Sequence, residues 1–417
     1  MINMIQDFEN TIDNIKNISL EEKKLRKESL NLFAKEGFPN KRIEEWKFTD
    51  LNKIINNNFK ELQSENKIDF NKQVDLINDF EHNSIVLING VLNSNNFQHE
   101  DTKKIIISPF KDTLTKHIKS KNSLINLNNA LFKGGYSLEI LSNYKFNKPL
   151  IVYNYSTENL KNKIFNNKNL IIMNSNSELN LIELNSESSE GNFILNNYTK
   201  ISVGKGASLK NFTVQTCVSN GFSYKFLKVL LDEKSNYEDC IFSSGLKFNK
   251  TEEDIEINGE EANCVIQSGL FLDSNTHQEI KTQINHLKPN SKSYQKIKNI
   301  LTNNAKGAYQ GKIFVKDIAQ KTDAYQLSKA LLLNDSSEFN AKPELEIYAD
   351  DVKCSHGSTS GSISEDSIYY LMSRGIPRQN AIKLLNKAFL FEIVNSIKNK
   401  EIKKFIEKHV DRQIHGY

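Results

Sequence analysis

Four short turns recur at a nearly even distance along the middle of the chain. Gly206-Ala207-Ser208, Lys234-Ser235-Asn236, Glu261-Ala262-Asn263 and Asn290-Ser291-Lys292 each place a small residue in a turn ahead of a strand-like run. From Ala207 to Ser235, Ala262 and Ser291 the steps are 28, 27 and 29 residues. Periods of about 20–50 residues mark solenoids, in which each coil stacks on the last. A β-solenoid buries its apolar side chains in one continuous stack and leaves polar turns outside. A β-sandwich would show similar strands without the even period. Between Lys148 and Asp351 the apolar runs are short and no long helical pattern intervenes. Leu150-Ile151-Val152-Tyr153, Leu170-Ile171-Ile172-Met173 and Phe226-Leu227-Lys228-Val229-Leu230-Leu231 are examples. Gly204-Lys205-Gly206-Ala207-Ser208 is glycine-rich but falls inside the series, and reads as one of its turns.

The flanks have a different period. Ile12, Ile15, Ile18, Leu25 and Leu30 to Phe33 recur at helical spacing among charges. Gly37-Phe38-Pro39-Asn40 breaks that pattern ahead of the only tryptophan, Trp46. Trp46 and Phe48 are expected to anchor this helical region to the rest; a partner surface is the alternative. Asn89-Gly90 between Ile85-Val86-Leu87-Ile88 and Val91-Leu92 is a hairpin signal. Residues 109–133 return to a helix-like pattern. After the strands, Ser364 is a good helix N-cap, with Glu365 and Asp366 in the first turn. Gly375 suits the stop and Pro377 the next start. Ala381, Leu384, Leu385, Ala388 and Phe389 form an apolar stripe that either packs on its own domain or docks to something else. A short last helix carries Ile402, Phe405 and Ile406. The expected architecture is mainly β. Residues 1–147 form a mostly helical region with a hairpin, 148–361 the β-helix core, and 362–417 a C-terminal helical domain.

Composition narrows the function. The 55 basic and 51 acidic residues nearly cancel and are interspersed, which argues against a nucleic-acid-binding face. The four cysteines, Cys217, Cys240, Cys264 and Cys354, form no Cys-x-x-Cys pair. The N-terminus lacks a secretion-signal pattern, and no apolar run reaches the ~18 residues of a membrane helix. A cytoplasmic, reduced chain without disulfides is expected. No Gly-x-x-x-x-Gly-Lys-Ser/Thr loop signals nucleotide hydrolysis by this chain.

The densest chemistry lies between Pro343 and Ile376. Leu345, Ile347 and Ala349 share one strand face, and the alternation slips at Asp350-Asp351. A bulge or tight bend is expected there. Beyond it Val352, Cys354 and His356 point the same way, so a thiol and an imidazole can reach one metal or one partner surface. Both suit iron or iron–sulfur chemistry. Cys354 could equally be buried filler. His277 and His286, nine apart, would lie on opposite faces of one strand and are expected to be structural or exposed. Cys217, Cys240 and Cys264 read as small core residues.

The run Ala349-Asp350-Asp351-Val352-Lys353-Cys354-Ser355-His356-Gly357, with Ser373-Arg374-Gly375-Ile376, closely resembles the SufB/SufD family of iron–sulfur cluster assembly proteins, most of all its SufD branch. The resemblance extends to Ala319–Ala324, Lys342–Ile347, Gly37-Phe38-Pro39 and Glu45–Thr49. It implies a right-handed parallel β-helix core and a non-catalytic subunit of the SUF complex. The implied partners are a SufB-like scaffold at the β-helix edge and a SufC-like ATPase at the C-terminal helices. For the ATPase contact the candidates are Ala381, Leu385, Ala388 and Phe389. The family's functional histidine matches His356. No cofactor is held permanently on this reading; a transient iron or iron–sulfur cluster would form at the SufB seam. A homodimer when alone, and a part in iron entry, stay open. Two other functions also stay open: a self-associating SufB-like scaffold, and a carbohydrate-active β-helix enzyme using Asp350 and Asp351.

Overall fold

The computed structural model describes residues 2–16, 18–64, 74–111, 120–157, 160–187, 191–215 and 219–415. Helices α1 (Ile2–Asp13), α2 (Leu20–Glu36) and α3 (Leu51–Asn58) open the chain, with a 3-10 turn at Glu44–Trp46 before α3. Ser19 caps α2 by accepting from the Glu22 amide at 3.0 Å. Next come β1 (Gln63–Ser64), β2 (Asn83–Ile88), β3 (Val91–Asn96), β4 (Ile105–Pro109) and α4 (Ser123–Leu131). The Asn89-Gly90 turn forms as expected: both residues are left-handed, at φ 47° and 72°, and join β2 to antiparallel β3. The expected helix over 109–133 falls partly on residues 112–119, outside the described residues; its described part is α4.

The solenoid follows as β5 (Tyr136–Ile140), β6 (Leu150–Ser156), β7 (Lys163–Met173), β8 (Glu178–Glu187), β9 (Phe193–Val203), β10 (Ser208–Gln215), β11 (Ser219–Leu231) and β12 (Asn236–Ser243). It continues as β13 (Leu246–Ile257), β14 (Asn263–Leu272), β15 (His277–His286), β16 (Lys292–Leu301), β17 (Lys306–Val315), β18 (Thr322–Leu332), β19 (Glu338–Ile347) and β20 (Val352–Gly361). From β5 onward, odd strands build one sheet and even strands the other. From β7 to β18 each strand pairs in parallel with the strands two before and two after it. This is a β-solenoid, and its two sheets are internally parallel, not antiparallel. Both sheets start before residue 148, because β2 pairs with β6 and β5 with β7.

The even period in the sequence is the pairing register. Ser208, Asn236, Asn263 and Lys292 stand in line across four successive coils. Each follows one of the small residues, and Ala207, Ser235, Ala262 and Ser291 are all buried. Just before them, Gly206, Lys234, Glu261 and Asn290 take φ of 67°, 55°, 56° and 60°. That left-handed kink turns the chain from one sheet into the other. The amides of Gly206 and Lys234 then donate to carbonyls of the following coil, at 2.9 and 2.8 Å. So the corner recurs because a short side chain must tuck under it, and because its amides are satisfied only by the next coil.

The slip at Asp350-Asp351 is also a passage between the sheets, but without a left-handed residue. β19 ends at Ile347, and β20 starts in the other sheet at Val352. The parity change read from the sequence is a bend between sheets rather than a bulge within a strand.

Three packed layers surround this frame. Leu181, Ile201, Tyr237, Ile255, Leu272 and Ile284 belong to the interior between the sheets. On the outer face of the odd sheet, the N-terminal lobe packs Phe33, Phe38, Trp46 and Leu127 against Ile164, Phe222, Tyr224 and Phe248. Trp46 is buried, tilted over Tyr224 at 5.5 Å and stacked on Phe248 at 6.3 Å, as an anchor should be. The outer face of the even sheet is covered by the tail, α5 (Glu365–Ser373), α6 (Arg378–Val394) and α7 (Lys400–His415). Leu390, Ile393, Phe405, Ile406 and Val410 meet Tyr153, Phe212, Phe242 and Ile300 there. The last helix is not short: α7 has 16 residues.

Candidate functional site at the open end of the solenoid

The two sheets end on β19 and β20, each paired on one side only among the described residues. His356 and Cys354 sit on β20, so the structure places both at this end. Cys354 stands beside Ala324, and His356 beside Gln326. Cys354 is half-buried and packs, with Leu345 and Val352, against a small cluster of Ile313, Val315, Ala319, Ala324 and Ala349. Burial pushes its thiol above the ordinary cysteine value, and the nearby Asp323 adds to that. A neutral thiol is a weak metal ligand until a cation or a partner drives off its proton. His356 is exposed. The two donors therefore share one strand face two residues apart, the sulfur packed and the imidazole exposed where the last coil is open. Among the described residues no group of three or more His, Cys, Asp or Glu side chains is arranged to hold a metal ion. At the open end this chain offers two donors.

The other histidines are committed elsewhere. On β15 His286 points into the solenoid, its ring nitrogens 2.7 and 2.9 Å from the hydroxyls of Ser291 and Ser293. Burial lowers its pKa to about 4, so it is neutral at neutral pH. His277, at the other end of β15, faces the N-terminal lobe, 3.1 Å from both Thr49 Oγ1 and Glu279 Oε1. Burial opposes ionisation of Glu279. The fully buried Lys250, 2.9 Å away, and bonds from His277 and Thr49 outweigh it and hold the carboxyl at about 2. The expectation of opposite faces and structural roles holds for both. Cys240 and Cys264 are buried as expected, while Cys217 lies outside the described residues.

The apolar stripe on α6 divides. Ala381 is fully buried, and Phe389 packs over the Lys298 ammonium at 4.4 Å. Leu385 is half-buried, and Leu384 and Ala388 are exposed. What the stripe misses is α5, where Tyr369, Tyr370 and Met372 are exposed at 74, 57 and 41%. Their spacing within one helical turn was the available signal. Ser364 caps α5 as expected, accepting from the Ser367 amide at 3.3 Å. Asp350 and Asp351 are exposed on the last corner. No helix among the described residues is long and apolar enough to cross a membrane.

A parallel β-solenoid with one bare end and a Cys-x-His strand on it defines a class, and comparison with known proteins places the chain there. The SufBD core-domain model of SUF-system iron–sulfur cluster assembly matches residues 155–389, and the SufBD N-terminal-region model matches residues 1–152. The chain belongs to the SufBD family. It is similar to the iron–sulfur cluster assembly protein SufD of Escherichia coli K12, 31% identical over 52% of this chain and 51% of that protein. The matched stretch thus spans about half of that relative. The chloroplastic protein ABCI7 of Arabidopsis thaliana is 23% identical over 98% of this chain and 90% of its own. A SufBD family protein of Synechocystis is 25% identical over 89% and 86%.

Proposed function

We propose that this SufD-like chain is a non-catalytic subunit of a SUF-type iron–sulfur cluster assembly complex. It pairs with a SufB-like scaffold through the β20 edge, and nascent cluster forms as cargo at that seam. The observation that carries the reading is the bare edge of β20, with exposed His356 beside Cys354. An unpaired parallel edge is extended most readily by another strand, and a second solenoid supplies one. Pairing brings His356 to the seam, where a neutral ring nitrogen can ligate iron while the other nitrogen needs a partner of its own. Cys354, inward and protonated, serves mainly as packing on this reading. A SufC-like ATPase is assigned to the exposed side of the tail. Of the expected contacts, Leu385 and Ala388 are accessible there, with Leu384, Tyr369, Tyr370 and Met372; Ala381 is on the buried side of α6, and Phe389 packs over Lys298.

The test is iron and sulfide content of the purified complex, measured beside subunit stoichiometry. His356→Ala removes an exposed side chain, so folding and assembly should persist while cluster content falls to background. Cys354→Ala should reduce it less. Normal cluster content in the His356→Ala complex overturns the cluster role. Loss of the complex itself makes His356 an interface residue.

A further inference from the structure

The interior of the solenoid holds a charged cluster that the open end does not use. Glu183 on β8, Asn211 on β10, Lys225 on β11, Asp239 on β12 and Glu253 on β13 are all at least nine-tenths buried between the sheets. Lys225 Nζ donates to Glu183 at 2.6 Å and to Thr213 Oγ1 at 3.3 Å. Asn211 Nδ2 donates to Asp239 Oδ1 at 3.1 Å. The Asp239 and Glu253 carboxyls are within hydrogen-bonding reach of each other. Among the described residues, no N–H or hydroxyl donor reaches either Glu253 oxygen or Asp239 Oδ2. Two buried carboxyls in contact, with those oxygens undonated, cannot both be ionised without a large penalty.

We propose that Asp239 and Glu253 form a proton-binding site inside the solenoid, sharing one proton between their facing oxygens at neutral pH. The shared proton supplies the one O–H donor that the geometry lacks. Lys225 does not replace it, because its ammonium is paired to Glu183. The other titratable groups within reach are Tyr237 on β12, Cys264 on β14 and Tyr309 on β17; burial pushes all three up, so they stay neutral. Burial raises both carboxyls against the pull of the Lys225 ammonium: Asp239 goes to about 6, with the Glu183 charge adding to it, and Glu253 goes well above its ordinary 4.5, with the Asp239 charge adding to it. Lys225 and Glu183 also line a small polar slot with Asn154, Asn169, Asn185 and Asn197.

The sign follows from linkage. A carboxyl raised in the folded state binds its proton more tightly than the unfolded chain does. Its stabilisation is complete below the unfolded value and is lost as pH rises towards the folded one.

Glu253→Gln keeps the shape and replaces the shared proton with a permanent N–H donor to Asp239. In the full-length protein, infrared spectroscopy at pH 7 should show the C=O band of a protonated carboxyl, and Glu253→Gln should lose it. The ratio of folding equilibrium constants, variant over wild type, should climb from pH 5 to pH 8 by up to about tenfold per unit. Asp239→Asn removes the other half of the pair and should lose the band too. Absence of the band in wild type, or a ratio flat with pH, overturns the proposal. Should both variants fail to fold, the wild-type band alone decides.

Discussion

The two ends of the solenoid are built differently. At the first end each sheet stops on a short reversed strand, β3 of six residues on β2 and β4 of five on β5, both antiparallel. Glu100 ties this end down, accepting from the amides of Asn147 and Lys148, each at 3.0 Å, and from Tyr144 Oη at 2.8 Å. At the last end both sheets stop on full ten-residue strands still running parallel. Even there the two edges differ. β19 carries Pro343 among Glu338, Lys342, Glu344 and Glu346, the residues that normally discourage edge pairing. β20 carries one lysine, Lys353, near its start, and beyond Cys354 only His356 stands among Ser, Thr and Gly. Solenoids need caps to stay soluble. One end is capped by the chain itself; the other is left open, with β20 the less defended strand.

The largest expected effect concerns the cover rather than the ends. Removing residues 364–417 strips Leu390, Ile393, Phe405 and Ile406 from Phe212, Phe242 and Ile300. Such a truncated chain exposes a long apolar face and should aggregate. Light scattering during expression and refolding checks this; a monodisperse truncated chain would mean the tail is merely appended. Next in size is Trp46→Ala. It removes a buried indole from Phe248, Tyr224 and the Lys250 ammonium, which sits 4.2 Å over the ring. About 3–5 kcal/mol should be lost in denaturant unfolding. A loss below ~1 kcal/mol would mean that the N-terminal lobe does not depend on that anchor.

The coils were legible because the register needs a small buried residue once per turn, at Ala207, Ser235, Ala262 and Ser291. Trp46, the hairpin turn and the α5 cap were legible because each is a local requirement with few residue types that meet it. The corner at Asp350-Asp351 showed only as a change of parity, and parity alone does not distinguish a bulge from a passage between sheets. The tail's docking face was set by outward-pointing Phe212, Phe242, Phe271 and Ile300, not by α6 itself, so the stripe could not be oriented from its own sequence. The interior charges belong to no motif and were not singled out in the sequence. Their signal was parity: Asp239 shares an inward face with Tyr237 and Ile241, Glu253 with Ile255, and Lys225 with Leu227. The proposed seam at His356 was reached through its motif; the geometry adds that its strand is the bare one.

The smallest change in stability should accompany the clearest loss of assembly. Ser355 and Thr359 are exposed on β20, two turns of the pleat apart on one face. Ser355→Lys with Thr359→Lys adds two ammonium groups to a strand whose one lysine, Lys353, lies near its start, copying the device that protects natural edges. Nothing packed is removed, so unfolding free energy should move by no more than about 0.5 kcal/mol. Association with a SufB-like partner, or self-association of the isolated chain, should weaken by at least about tenfold, roughly 1.4 kcal/mol. The matched control is Asn93→Lys with Asn95→Lys on β3, exposed at the capped end. Sedimentation measurements on both pairs set the two ends against each other directly. If the β20 pair leaves association intact, the seam is elsewhere; if the β3 pair weakens it equally, the effect is general charge repulsion and the contrast between the ends fails. Only loss confined to β20 is consistent with a solenoid capped at one end and completed by a partner at the other.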